Sequence, residues 1–327
     1  MPLSVRGTLA AIAAIAALAA LPLLASAQTD YPSRPITLVV PFAAGGGTDS
    51  IARDIAKNMA DRLHQPVVVD NRGGAGGALG ADYVAKAKPD GYTLLFATST
   101  FATNAAIEPK LPYDPIKDFA PVAMIGHGPL LVVTSKQLGA KNVAQLIAAA
   151  RARPEGLNFC SAGNGSINHL SGEMFRQKTG LNMTHVPFKG SGPATVELLA
   201  GRIDVFFATV PTILSYVRAG KVPVLAVTTA QRSPLFPNVP TLAEAGVPGL
   251  DISTWWGVLA PAKTPPAVID ALNRAVNDSA AAEPVKGRLV QEGAAAVRLT
   301  PAAFGEALNK ELTLWRGVTS NPAMQLH

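Results

Sequence analysis

The residues of this chain best placed to do chemistry are glycines. The stretch Val39–Met59 reads VVPFAAGGGTDSIARDIAKNM: an apolar run, the triplet Gly45, Gly46 and Gly47, and a helical pattern beginning near Thr48. A glycine turn that opens a helix offers unpaired backbone N–H groups and the positive end of the helix dipole, and it lets a ligand come close to the main chain. That is the chemistry of anion capture. A nucleotide site would continue Gly-Lys-Ser/Thr, whereas Thr48-Asp49-Ser50 follows here, and the dinucleotide spacing of glycines is missing both here and in Asn71–Gly80. Asp49 in the first turn would repel a polyphosphate, so a carboxylate fits better. Thr48 or Asp49 also suits the role of helix cap.

A matching device recurs in the second half. CSAGNGSINHLSGEMF (Cys160–Phe175) sets Gly163, Gly165 and Ser166 ahead of a helix bearing His169, and HVPFKGSGP (His185–Pro193) repeats the theme with Lys189 and Gly190. Each turn alone is unspecific; gathered at the carboxyl ends of strands from two open sheets, they describe a cleft. Catalysis reads less well. Cys160 and His169 could form a nucleophile–base pair, but a lone cysteine ending a strand fits a small buried hydrophobe better. Ser166 lies outside a Gly-x-Ser-x-Gly elbow. The histidines, His64, His127, His169, His185 and His327, lack metal-ligand spacing, so no metal or cofactor is expected. His169 suits packing or a hydrogen bond. Trp255 and Trp256 suit a ligand-facing wall or the core.

The elements that must position these turns alternate strand and helix. Ile36–Val40 reads as a buried parallel strand, and from Asp49 the residues Ile51, Ala52, Ile55, Ala56, Met59 and Leu63 recur at helical spacing. Strand Val67–Asp70, turn Asn71–Gly77 and a helix through Leu79, Val84 and Ala85 repeat the unit; strand Thr93–Ala97 leads to a polar tip, Thr98-Ser99-Thr100. A second sheet is expected to start near Ile125–Leu130, with strands Leu131–Thr134, Asn158–Cys160, Met183–Val186, Val205–Thr209 and Val224–Thr228. Helices are expected around Val143–Ala150, His169–Lys178, Ala194–Ala200 and Ile213–Arg218. The proline-rich Ser233–Gly249 reads as a connector. Strand Trp256–Leu259 and amphipathic helices over Pro266–Ala281 and Pro301–Arg316 would return to cover the first sheet. This alternation predicts an α/β fold of parallel sheets flanked by helices.

The N-terminus sets the compartment. A basic residue, Arg6, precedes a mostly Ala/Leu/Ile run and the small-x-small triplet Ala25-Ser26-Ala27, the pattern of a cleaved export signal over residues 1–27. The sole cysteine, Cys160, is remote from that cleavage site, so no lipid anchor and no internal disulfide are expected. Losing Arg6 takes the formal charge from +6 to +5, a mild excess spread along the chain without basic runs; nucleic acid is not the expected partner.

The segments YPSRPITLVVPFAAGGGTD, VVVDNRGGAGGALGADYVAKAKPDGYTLL, GNGSINHLSGEMF, VPFKGSGPA and LLAGRIDVFF together resemble, in order and spacing, the extracytoplasmic solute receptors of tripartite tricarboxylate transporters, the Bug proteins. The resemblance implies a two-lobed periplasmic-binding-protein (Venus-flytrap) fold: lobe 1 from 28–128 and a return segment 253–327, lobe 2 from 129–252. It implies that the loop carrying Phe42, Ala43, Ala44, Gly45, Gly46, Thr48 and Asp49 wraps a carboxylate, with Gly73, Thr98 and Ser99 in the same lobe. Gly163, Ser166, His169, Lys189, Gly190 and Asp204 face it from the other. The expected function is periplasmic: a monomeric receptor, not an enzyme, that binds a di- or tricarboxylate or related organic acid and delivers it to integral membrane subunits. Two alternatives stand beside it, a secreted hydrolase or isomerase acting on such an acid, and a ligand sensor for a signalling partner.

Overall fold

In a computed structural model, which describes residues 31–320 with 109, 284 and 292 excepted, the chain builds two sheets that share one strand. The export signal expected over residues 1–27 lies outside the described residues. Strand β1 (Ile36–Val40) leads through a glycine turn into α1 (Gly47–Leu63), whose Ile51, Ala52, Ile55, Ala56 and Met59 face inward as their spacing predicts. Next come β2 (Val67–Asn71), α2 (Ala78–Ala85), β3 (Thr93–Thr98) and α3 (Ser99–Ile107). β1 lies between β2 and β3, parallel to both, and is buried nearly throughout, whereas β2, at the edge, is only half-buried. The helix over 99–107 stands where the sequence suggests only a polar tip. It is capped by Thr98, whose Oγ1 accepts from Thr100 N at 3.2 Å.

Strand β4 (Phe119–Thr134) then runs through both sheets. The second sheet adds α4 (Val143–Ala152), β5 (Leu157–Ser161), α5 (Ile167–Thr179), β6 (Met183–Pro187), α6 (Ser191–Leu199), β7 (Val205–Thr209), α7 (Val210–Arg218) and β8 (Val224–Val227). β6, β5 and β7 are mutually parallel; β4 is antiparallel to β7 on one side and to β8 on the other. Successive residues of β7 enter different cores: Val205 and Phe207 pack with Phe159 and Phe175, while Phe206 and Ala208 pack with Leu198 and Ile213.

The chain returns through β9 (Ser253–Pro261), antiparallel to both β3 and β4, then α8 (Pro266–Ala281), α9 (Val285–Gln291), β10 (Ala295–Ala296) and α10 (Pro301–Thr319). α8 and α10 pack on β4, the cover their amphipathic patterns predict. Each sheet is therefore mixed, three parallel strands extended by antiparallel ones. The second begins within the expected Ile125–Leu130, but on a strand continuous with the first: β4 pairs with β9 up to Pro129, with β7 from Leu130 and with β8 from Leu131. We call the part built on β1–β3, β9 and β10 lobe 1 and the part built on β5–β8 lobe 2. Just beyond the crossing, Thr228 ties both connecting segments. Its hydroxyl donates to Ile252 O at 2.6 Å and accepts from Leu130 N at 3.0 Å, and its N–H donates to Leu130 O at 3.0 Å.

Candidate functional site

The loops that follow β1, β3, β5, β6 and β7 meet between the lobes, the place where open α/β sheets bind ligands. They surround a tight cavity of about 20 Å3. Lobe 1 lines it with Phe42, Ala43, Gly46, Gly47, Thr48, Asp49, Thr98 and Thr100; lobe 2 lines it with Ala162, Ile167, Asn168, Ser191 and Thr209. Thr254 completes it from β9, beside the crossing.

Five helices begin here. The N-caps of α1, α6 and α7 are Gly46, Gly190 and Thr209, and no side chain accepts a hydrogen bond from their first amides. α3 is capped by Thr98, and α5 by Ser166, whose Oγ accepts from His169 N at 3.3 Å. Helix starts left without side-chain acceptors present donors that water or a ligand must satisfy, and their dipoles favour negative charge. Asp49 is the sole ionisable residue among those lining the cavity.

Asp49 serves the loop rather than the helix cap. Its carboxylate accepts from Gly45 N at 3.0 Å, Asn71 Nδ2 at 2.9 Å and Arg53 Nε at 3.0 Å. Burial pushes its pKa up, but the bonds from Arg53, Gly45 and Asn71 prevail and hold it below the usual value. Asn71 Nδ2 also reaches Phe42 O at 3.1 Å, and Gly45 has φ +86°, a conformation suited to glycine.

Lobe 2 secures its loop without charge. His169 is 1% exposed, and its Nδ1 accepts from Gly165 N at 3.2 Å. Its ring stacks on His185 with centroids 3.8 Å apart. His185 Nε2 lies 2.6 Å from Ser161 Oγ, which accepts from Gly163 N at 3.0 Å. Burial lowers His169 to about 4, and burial together with the neighbouring His169 lowers His185 to about 3, so both rings are neutral at pH 7. Cys160 forms no pair with His169. Its Sγ lies 3.8 Å from Ala194 O, and burial pushes the thiol pKa up, away from a reactive thiolate.

The lobes touch through main chain. A Cβ on Gly47 would stand 2.6 Å from Pro211 Cβ and 2.7 Å from Thr212 N, whereas one on Gly46 would meet only Gly192 N, at 3.8 Å. Thr103 Oγ1 donates to Gly165 O at 2.6 Å, and Ile167 N donates to Thr100 Oγ1 at 3.3 Å. This is a closed arrangement.

Of the residues expected at the site, Phe42, Ala43, Gly46, Thr48, Asp49 and Thr98 line the cavity. Ala44 and Gly45 are exposed on the same loop, and Gly73 packs behind it against Ala43 N and Phe42. Gly163 and Gly190 carry the lobe-2 loops to within reach of Gly76 and Ala43. Ser166, His169 and Ser99 lie behind the lining, Ser99 accepting from Trp255 N at 2.9 Å. Lys189 is exposed, outside the lining. Asp204 stands apart. It precedes β7, at the end of the strand opposite Thr209 and so about 16 Å from the cleft. It accepts from Arg153 Nη1 and Asn158 N, each at 2.9 Å.

Gly47, part of the glycine triplet singled out from the sequence, also lines the cavity, whereas sequence reasoning gives no site role to Thr100, Asn168, Ser191, Thr209 and Thr254. All but Thr254 follow or end a parallel strand, so the strand-end rule could have found them. Trp255 and Trp256 are core rather than a ligand-facing wall. Trp255 Nε1 donates to Glu311, as does Trp315 Nε1 at 3.2 Å. Burial pushes Glu311 up to about 7, against hydrogen bonds from Trp255, Trp315 and Ser99. Among the described residues, no group of three or more His, Cys, Asp or Glu could hold a metal ion, and no helix is long and apolar enough to cross a membrane.

Residues 51–301 match the family model described as tripartite tricarboxylate transporter family receptor. The protein BugT of Bordetella pertussis is 40% identical over 303 residues, which cover 92% of this chain and 93% of BugT. An R. palustris protein solved with adipate is 38% identical with a TM-score of 0.85, over 89% of this chain and 97% of that one. MatC from Rhodopseudomonas palustris, solved with bound malate, is 36% identical with a TM-score of 0.84, over 88% of this chain and 100% of that one.

Proposed function

The chain belongs to the tripartite tricarboxylate transporter receptor family, and from that membership we propose that it captures a small organic acid between its lobes and delivers it to the membrane subunits of a tripartite transporter. Its fold is the two-lobed periplasmic-binding-protein fold, and the family's members are receptors rather than enzymes. The ligand therefore leaves unchanged.

One observation carries the carboxylate assignment. Five helix N-termini converge on a cavity that no cationic side chain lines, and three of them lack a side-chain acceptor. A carboxylate would meet those amides with two oxygens and one negative charge, drawing α1 of lobe 1 and α6 and α7 of lobe 2 onto it. Such a ligand binds the closed state better than the open one, and this difference drives closure. The adipate and malate seen in the two solved relatives support a carboxylate of this class. We divide the lobes at 128/129 and 252/253, a division supported by the change of β4 partners after Pro129. The protein acts as a monomer in the periplasm once the signal over residues 1–27 is cleaved.

The test is a melting screen over mono-, di- and tricarboxylates, with the acid assayed afterwards. An acid held at 100 times its Kd should add about 2.7 kcal/mol of stability and be recovered intact. Absence of any shift across the set, or conversion of the acid, would refute the proposal.

A further inference from the structure

Among the buried polar side chains lining the cavity, all but that of Thr254 bond within the protein. Thr98 Oγ1 accepts from Thr100 N, Thr100 Oγ1 accepts from Ile167 N, and Asn168 Nδ2 donates to Phe207 O at 2.6 Å. The hydroxyls of Thr209 and Thr212 pair at 2.8 Å. Thr254 differs: it is 1% exposed, it lines the cavity, and its Oγ1 has no hydrogen-bond partner among the described residues. An unpaired buried hydroxyl is costly, so a partner supplied by a ligand is strongly favoured.

The chemistry of that partner is constrained. No cation lines the cavity to balance a second charge at the floor, and a carboxylate desolvated against one hydroxyl would be poorly compensated. A neutral hydroxyl, able both to donate to and to accept from Thr254, matches it. We propose that Thr254 is a specificity-determining residue that hydrogen-bonds a hydroxyl on the carbon chain of the bound acid, so that the receptor selects hydroxycarboxylates over their deoxy counterparts. The inference rests on the carboxylate reading above. A site built to bond a hydroxyl rejects the analogue lacking it, because its own polar group is then left unpaired.

The test uses matched acids differing by one hydroxyl, lactate with propionate and malate with succinate, titrated calorimetrically into the full-length mature protein. Wild type should bind the hydroxy member of a pair at least about tenfold more tightly. Thr254→Val should cut that ratio below about threefold, weakening the hydroxy acid and tightening the deoxy acid because no hydroxyl is then left unpaired, and Thr254→Ser should restore the ratio. Should the valine variant fail to fold, Thr254→Ala serves for the same comparison. A wild type that binds carboxylates without preferring the hydroxy member would overturn this inference and leave the carboxylate reading standing. So would equal losses for both members in the variant. A wild type that binds no carboxylate in the screen would overturn both.

Discussion

The two lobes hold their anion-facing loops in opposite ways. In lobe 1 the Gly45–Gly47 turn is pinned by a charge: Asp49, kept ionised by Arg53, Asn71 and the Gly45 amide. In lobe 2 the Gly163–Gly165 turn hangs on two neutral stacked rings, His169 and His185, and the hydroxyl of Ser161. Neither lobe puts a cation into the cavity. Attraction for the ligand is thus left to main-chain dipoles from both sides, and each lobe's side chains are free to serve as scaffolding.

The largest expected effect tests whether both sides must meet. Gly47→Ala places a Cβ against the backbone and ring of Pro211 and Thr212 across the cleft, where no flexible side chain can yield. Calorimetry should show affinity falling by about a hundredfold, the ~3 kcal/mol of a hard overlap, with the melting point of the ligand-free protein preserved. Gly46→Ala, one residue away with only Gly192 N at 3.8 Å, should stay within about threefold. Equal behaviour of the two variants would break the picture of closure on α7.

Acidification should separate the two scaffolds. His169 and His185 titrate at about 4 and about 3 in the folded protein, below their ordinary value of 6.5. As pH falls through 6.5, the unfolded chain takes up protons that the folded chain refuses, and stability drops by up to about 1.4 kcal/mol per histidine per pH unit. Glu311 acts in the opposite direction. Its folded pKa, raised to about 7 from 4.5, gives stability that is full below 4.5 and lost as pH rises to 7. Melting measured from pH 7 to 5 should therefore show a net acid loss in wild type. The loss should steepen by about 1.4 kcal/mol per unit in Glu311→Gln, where the offset is gone. A flat wild-type profile, or an unchanged slope in the variant, would contradict these assignments. The smallest effect belongs to Asp204→Ala: affinity within twofold, with stability lowered by about 1 kcal/mol through loss of the bonds to Arg153 and Asn158. A tenfold loss of affinity would bring Asp204 back to the ligand.

The framework of both lobes, though not the difference between them, was largely legible in the sequence. Ile36–Val40 and Val205–Thr209 announce buried strands by their composition, and Gly45–Gly47 and Gly163–Ser166 announce helix-opening turns. What escaped had separate physical causes. The continuity of β4 through Gly126, Gly128 and Pro129 was not foreseen. A Cβ at Gly126 or Gly128 would stand 2.7 Å from Ala295 O or 2.8 Å from Gly293 O, so these glycines mark close approach of another backbone rather than a strand's end. Thr254 was invisible because it lies near the start of an antiparallel strand, where the strand-end rule does not look. Asp204 was misplaced because a motif position carries no information about which end of β7 it occupies.

The Thr228 tie has a mechanical corollary. By stapling Leu130 and Ile252 together it stiffens both crossings on the lobe-2 side, so rotation must be absorbed on the lobe-1 side, where Gly128 faces Thr254. A pivot there would pass close to Thr254 and leave it nearly still, while the amides of α6 and α7 would swing on longer lever arms. A solute would then reach the fulcrum while the jaws are still apart. On-rates should report the floor, and residence times the glycine turns.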